Sequence, residues 1–164
     1  MHIRHAEIAD AEELACLLNS VIAEGGKTAI DTPLTGSEFA AWFITGPHCI
    51  CCIVAEADSG ILGFQSLERF HDDLPQDMAD IATFVTDRVR GSGIGRGLSQ
   101  ATSAIAEETG VQHVRAGIQR SNEDAIAYYR SVGFEGDDAS SSTKGSVTLI
   151  RSTPCVGDAR NAMP

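Results

Sequence analysis

Two short segments of this sequence hold the residues whose types and spacing could do chemistry. The first is Arg88-Val89-Arg90-Gly91-Ser92-Gly93-Ile94-Gly95-Arg96, which follows a strand-like run, Asp80 to Thr86, and opens a helical stretch from about Gly93 to Thr109. A strand feeding a glycine turn that opens a helix makes an anion site. The first helical amides lack intrachain acceptors and point outward. The helix dipole adds partial positive charge there, and glycine lets a phosphate approach the backbone with no Cβ in the way. Arg88, Arg90 and Arg96 fall within nine residues that contain no acid, and add full charge. Two other phosphate motifs fail on residues that matter to their chemistry. Gly26-Lys27-Thr28 is a Gly-Lys-Thr triplet, but Val21 stands where a Walker loop needs its first glycine. Arg96 stands where a dinucleotide fingerprint starting at Gly91 needs its last glycine.

The second segment is Asn122-Glu123-Asp124-Ala125-Ile126-Ala127-Tyr128-Tyr129-Arg130-Ser131-Val132-Gly133-Phe134. At about 100° per residue, Asn122 and Tyr129 fall roughly 20° apart on one helical face, two turns from each other. Asn122 is placed to cap this helix, and its amide can also bond a ligand. Tyr129 puts a phenol on the same face.

The elements that must position these segments read in order along the chain. Ile3 to Ile8 is a first strand. Asp10 then reads as an N-cap with Glu13 as its capping-box partner, followed by Leu14, Leu17, Leu18, Val21 and Ile22 at helical spacing. Gly25-Gly26 stops that helix. A second short helix spans roughly Ser37 to Thr45, with Trp42 expected to pack it on the core. Residues 49–57 and Ile61 to Phe70 flank Asp58-Ser59-Gly60 and read as a hairpin. After the acidic loop His71 to Asp77 comes the strand that ends in the glycine turn. His113 to Gln119 is a strand, Asn122 to Val132 a helix, and two terminal strands follow, the last from Val147 to Ser152. The class is α/β with a mixed sheet. Residues 1–153 are expected to form a single domain, and 154–164 a disordered tail.

At 164 residues the chain has room for one ordinary domain. No window approaches the roughly 18–20 apolar residues that span a membrane, and the N-terminus lacks a signal-peptide core, so a cytoplasmic location is expected. The formal net charge of −11 repels nucleic acid backbones and anionic membranes, which excludes both as partners. Five cysteines occur, two of which, Cys49 and Cys52, stand at C-x-x-C spacing. Three lie in the apolar run Cys49-Ile50-Cys51-Cys52-Ile53-Val54-Ala55, where free thiols behave as small hydrophobes, and no metal site is expected.

The glycine turn matches [Q/R]-x-x-G-x-[G/A], and Asn122, Ala125, Tyr129, Gly133 and Phe134 match N-x-x-A-x-x-x-Y-x-x-x-G-F. In both, and in their order, the sequence resembles the GNAT superfamily of acyl-CoA N-acyltransferases over about residues 3–152. The resemblance implies a mostly antiparallel central sheet with flanking helices, and acetyl-CoA as cofactor. It implies that the amides around Arg90, Gly91, Ser92, Gly93, Ile94, Gly95 and Arg96 bind pyrophosphate. Val85 would pair with the pantetheine arm and polarise the thioester carbonyl, and Asn122 would touch pantetheine or a bound water. Tyr129 would be the general acid, with either Asp80 or Glu68 as general base. Asp87 departs from the proline frequent in the family. The stretch from Gly26 to Phe43 is similar to the subgroup acetylating small amino-acid-like compounds of phosphinothricin type. That implies a small-molecule amine as acceptor, attacked directly in a ternary complex, and a homodimer. The rival readings are a cysteine hydrolase pairing His48 or His113 with Cys49, Cys51 or Cys52, and a non-catalytic acyl-CoA-binding module.

Overall fold

The computed structural model of the protein describes residues 1–71, 74–136 and 145–153. Six strands form one sheet in chain order: β1 (His2–His5), β2 (Cys49–Ala57), β3 (Gly60–Glu68), β4 (Met78–Val85), β5 (His113–Gln119) and β6 (Ser146–Ser152). Every neighbouring pair is antiparallel except β4 with β5. The mixed, mostly antiparallel sheet expected from the sequence is therefore present. Four helices accompany it: α1 (Ala11–Glu24), α2 (Gly36–Phe43), α3 (Ile94–Glu108) and α4 (Glu123–Ser131).

Strand alternation sorts the apolar residues onto two faces. Cys52, Val54, Phe64 and Phe84 pack with Leu14, Leu18, Phe39 and Phe43 of α1 and α2. Ile53, Ile81, Ala116 and Leu149 pack with Ile94 and Leu98 of α3 and Tyr129 of α4. The sheet is thus the middle layer of three.

Some boundaries differ from the sequence reading for identifiable reasons. Asp10 does not cap α1. Its carboxylate accepts the Glu7 amide at 2.8 Å and pairs with Arg4 at 2.7 Å, closing a 3-10 turn at Ile8–Asp10. Glu13 accepts the Ile61 amide at 2.7 Å instead, tying α1 to the β2–β3 hairpin. The capping box lies on α2, between Thr35 and Glu38. Trp42 is 46% exposed rather than buried, against Phe43 and Phe70. Of the two terminal strands, β6 forms, and Glu135 contributes a single bridge to Ile150. The expected tail, 154–164, lies outside the described residues, as does Cys155.

The feature that makes a site is a parting of two strands. β4 and β5 are in register only at Met78–His113, Ala79–Val114 and Asp80–Arg115. Beyond that, β4 stays with β3 as far as Val85, and β5 stays with β6 as far as Gln119. A wedge opens between residues 81–85 and 116–119.

Candidate active site

The wedge continues into a cleft of about 870 Å³ running from Thr83 and Val85 past the glycine turn to Asn122 and Tyr129. That volume suits a large organic ligand. The orientation of Val85 follows from the ladder. The Thr86 amide donates to the Leu62 carbonyl at 2.9 Å, so Val85 and Gly63 are a non-hydrogen-bonded pair. Val85's own N–H and C=O therefore face the open side, where the Arg90 Nε reaches the carbonyl at 3.3 Å.

At the turn, Gly91 and Gly93 have φ of 79° and 89°. This left-handed region disfavours a side chain, and a Cβ at either position would meet nothing within 4 Å. The turn is bent open by its glycines, with clear space beside the backbone. The first bond into α3 runs from the Gly97 amide to the Gly93 carbonyl, leaving the amides of Gly93, Ile94, Gly95 and Arg96 without a backbone acceptor. Gly95 has a different reason to be glycine: its Cβ would come within 2.7 Å of the Tyr128 ring.

The three arginines do not behave alike. Arg90 is held by Glu24 at the end of α1 and by Asp87, at 2.5 and 3.1 Å. Its guanidinium closes one side of the cleft, and its pKa is raised by the Glu24 carboxylate first. Arg96 lines the cleft and has no ion pair among the described residues.

Asn122 caps α4, accepting the Ala125 amide at 3.3 Å, while its Nδ2 donates to the Lys27 carbonyl at 3.3 Å. Gln119 donates to the Thr28 carbonyl at 2.7 Å. The loop after α1 is thereby drawn over the cleft, and its far end is pinned by Asn19, which bonds both polar groups of the Leu34 backbone.

Tyr129 is 5% exposed, its ring against Phe134 and Tyr128 and its hydroxyl 2.9 Å from Thr83 Oγ1. The donor pattern around it can be worked out from chemistry. The Tyr128 hydroxyl donates to the Gly95 carbonyl at 2.8 Å, so it can only accept from Gln65, which presents Nε2 at 3.2 Å. The same Nε2 donates to Thr83 Oγ1 at 2.7 Å, and between the Thr83 and Tyr129 hydroxyls either can be the donor. The Thr83 amide also bonds the Tyr129 oxygen. In the arrangement where Thr83 is the donor, the Tyr129 hydrogen is left to face the cleft. Burial raises the Tyr129 pKa, and the two Thr83 groups oppose that rise by stabilising the phenolate. Gln65, Thr83 and Tyr128 were missed in the sequence; a glutamine in the apolar run Ile61 to Phe70 was the available signal.

The acids lie on the other face. Glu68 and Asp80 are cross-strand partners on the α1–α2 side of the sheet. Both Asp80 oxygens accept from Arg115, at 2.6 and 3.0 Å. Glu68 is 8% exposed, with an Oε2 that finds no partner. Burial, with a contribution from the Asp80 charge, pushes its pKa up to about 8. Neither carboxylate lines the cleft itself.

The strand cysteines are inert by the same physics. Burial pushes Cys49 up to about 11 and Cys51 up to about 12, and raises Cys52 as well. Thiols held protonated this firmly are poor nucleophiles, which removes the cysteine hydrolase reading. Among the described residues no His, Cys, Asp and Glu cluster could hold a metal ion, and no helix is long and apolar enough to cross a membrane.

A parted β4–β5 pair with an amide-rich turn at the head of α3 defines an acyl-CoA N-acyltransferase. The chain belongs to the acetyltransferase (GNAT) family, whose profile matches residues 20–134, and is an N-acetyltransferase with acetyl-CoA as co-substrate. It is 28% identical over 136 residues to YwnH of Bacillus subtilis (strain 168), provisionally named a phosphinothricin acetyltransferase, covering 82% of this chain and 83% of that protein. The fold is shared with a phosphinothricin acetyltransferase from Sinorhizobium meliloti solved with acetyl-CoA (TM-score 0.79, 22% identity, 96% and 90% of the two chains). It is shared too with a ribosomal-protein-alanine N-acetyltransferase from Brucella melitensis (TM-score 0.77, 24% identity, 93% and 99%).

Proposed function

We propose that the protein transfers the acetyl group of acetyl-CoA to the primary amine of a small molecule by direct attack in a ternary complex in the cytoplasm. The observation that carries this is the parted β4–β5 pair, with a free Val85 amide and an inward-facing Tyr129 hydroxyl at one end and the open glycine turn at the other. Acetyl-CoA supplies an acetyl group already activated as a thioester.

The residues divide the work. The amides of Gly91, Gly93, Ile94 and Gly95, with Arg96 and the carboxylate-held Arg90, hold the pyrophosphate. Ile94 serves through its backbone, its side chain being buried, while the Ser92 hydroxyl and amide both bond the Val89 carbonyl, at 2.6 and 3.3 Å, and set the shape of the turn. Val85 N–H donates to the carbonyl oxygen where negative charge develops. Tyr129 gives its proton to the departing sulfur, and Thr83 stabilises the phenolate left behind. Asn122 shapes the cleft by capping α4 and anchoring the loop over it.

Glu68 is the stronger candidate for general base. Its unpartnered oxygen and pKa near 8 suit proton removal from an ammonium group near neutrality. A water relays the proton, since Glu68 stands back from the cleft. Asp80, occupied by Arg115, acts by raising Glu68. The name of the Bacillus relative favours an amino-acid-like acceptor, and the family resemblance favours a homodimer, which light scattering would test.

A screen of small amines with acetyl-CoA, detecting released thiol, tests the proposal. Turnover on amino-acid-like primary amines is expected. Turnover only on peptide N-termini would overturn the small-molecule assignment.

A further inference from the structure

A second, smaller cavity of about 240 Å³ lies between α3, the end of α4 and β6, and shares Arg96 and Ser131 with the cofactor cleft. Its inner wall is the guanidinium of Arg151. This side chain comes from the same face of β6 as Val147 and Leu149, so the strand aims it inward between the two helices.

All the acceptors around that guanidinium are neutral. One Nη1 bonds Ser99 Oγ at 3.1 Å and the Val132 carbonyl at 3.0 Å, and Nη2 bonds Ser103 Oγ at 2.6 Å. The Phe134 ring lies 4.8 Å beneath. Of five N–H donors, these bonds use three. Nε and one Nη2 hydrogen find no acceptor, and no carboxylate lies within ion-pair distance among the described residues. Glu107 is felt only through its longer-range field.

A half-buried cation without a counter-charge is unusual, because removing a charge from water is costly unless an anion compensates. Arg4, Arg90 and Arg115 each hold a carboxylate, and among the described residues Arg69 bonds only the backbone carbonyls of Gln76 and Met78 at the surface end of β4. Across the cavity mouth Arg96 is a second cation without an ion pair, and Gln100 is an exposed amide at the rim.

We propose that this cavity receives the 3′-phosphate of CoA, bound by the free Arg151 donors and by Arg96, with Gln100 at the rim. Resting on the cofactor cleft described above, the assignment extends it. The ligand leaves the pyrophosphate turn, passes Arg96 and sets its ribose phosphate between α3 and the end of α4. Arg96 then faces both phosphate positions, and Ser99 and Ser103 act by holding the Arg151 fork in place. A phosphate monoester suits the planar fork better than a carboxylate, because it offers the same paired oxygens with the larger charge.

Binding of CoA and of dephospho-CoA, which differ only in this phosphate, tests the proposal by calorimetry. The wild-type protein is expected to bind CoA roughly tenfold more tightly, the worth of one partly exposed charge-assisted contact, with the ratio shrinking at high salt. In Arg151→Gln and in Gln100→Glu the ratio should fall to about one, mostly through weaker CoA binding. Gln100→Glu is on the exposed face of α3, so it reports even where loss of Arg151 unfolds the protein. Equal wild-type affinities, or a tenfold ratio that survives in folded variants, would overturn the 3′-phosphate site while leaving the cleft intact. Failure of both ligands to bind would remove the cofactor reading and this one with it.

Discussion

β4 and β5 are paired at one end and parted at the other, and the two ends do opposite things. At the closed end, Met78 to Asp80 pair with His113 to Arg115, and Asp80 and Arg115 satisfy each other. At the open end, residues 81–85 and 116–119 part, Val85 shows its amide to the gap, and the glycine turn holds amide donors without backbone acceptors beside the Tyr129 hydroxyl. A native chain leaves few such groups unpaired, so their concentration at one end marks where a ligand supplies the missing acceptors. The charged residues at the closed end look more catalytic in a sequence, yet Asp80 and Arg115 neutralise each other.

Tyr129→Phe should break the open end most severely. The ring still packs on Phe134, so CoA affinity and melting temperature should change little, while kcat falls by about 10²–10⁴-fold for want of a proton donor. A wild-type kcat would remove Tyr129 from the chemistry and leave the cleft standing.

Gly93→Asp should cost about hundredfold in CoA affinity. It puts a carboxylate in the space beside the turn and strains a φ of 89°. Gly95→Asp is the less informative variant, because it strikes Tyr128 before it meets any ligand.

Thr83→Val should lower kcat by about tenfold, the worth of one hydrogen bond to a developing phenolate. The effect should vanish in a Tyr129→Phe background, and Thr83→Ser should restore the rate. Additive losses would mean that Thr83 acts on stability alone.

Glu68→Gln sharpens the contrast from the other face, and the effect read here is on stability against pH. The Glu68 pKa rises from an ordinary 4.5 to about 8 on folding. Between those values the native state holds a proton that the unfolded state has released, so stability falls as pH rises across that window. The variant escapes this loss. Its melting temperature relative to wild type should climb by a few degrees between pH 5 and 8, then level off. The wild-type rise of kcat through about pH 8 should disappear with it.

The open end was legible in the sequence because glycines, arginines and the Asn122–Tyr129 spacing are local signals. The strand–turn–helix context, the element order and the inert cysteines followed from periodicity. Arg90 was read as a free charge, but its partner Glu24 is 66 residues away in sequence, beyond any local pattern. The choice between Asp80 and Glu68 depended on strand register and on an arginine from the neighbouring strand. Arg151 gave no signal at all, since a lone arginine in a terminal strand looks like any solvated charge. Local motifs showed what the chain can bind; long-range pairing decided which charges stay available.

Amide hydrogen exchange, followed residue by residue with and without CoA, tests the central claim most directly. Protection should rise at Thr83, Val85 and Gly93 to Arg96 when CoA is added, and stay unchanged at Met78 to Asp80 and His113 to Arg115. Protection appearing at the closed end, or none at Val85 and the turn with CoA bound, would contradict the assignment of the parted strands as the cofactor cleft.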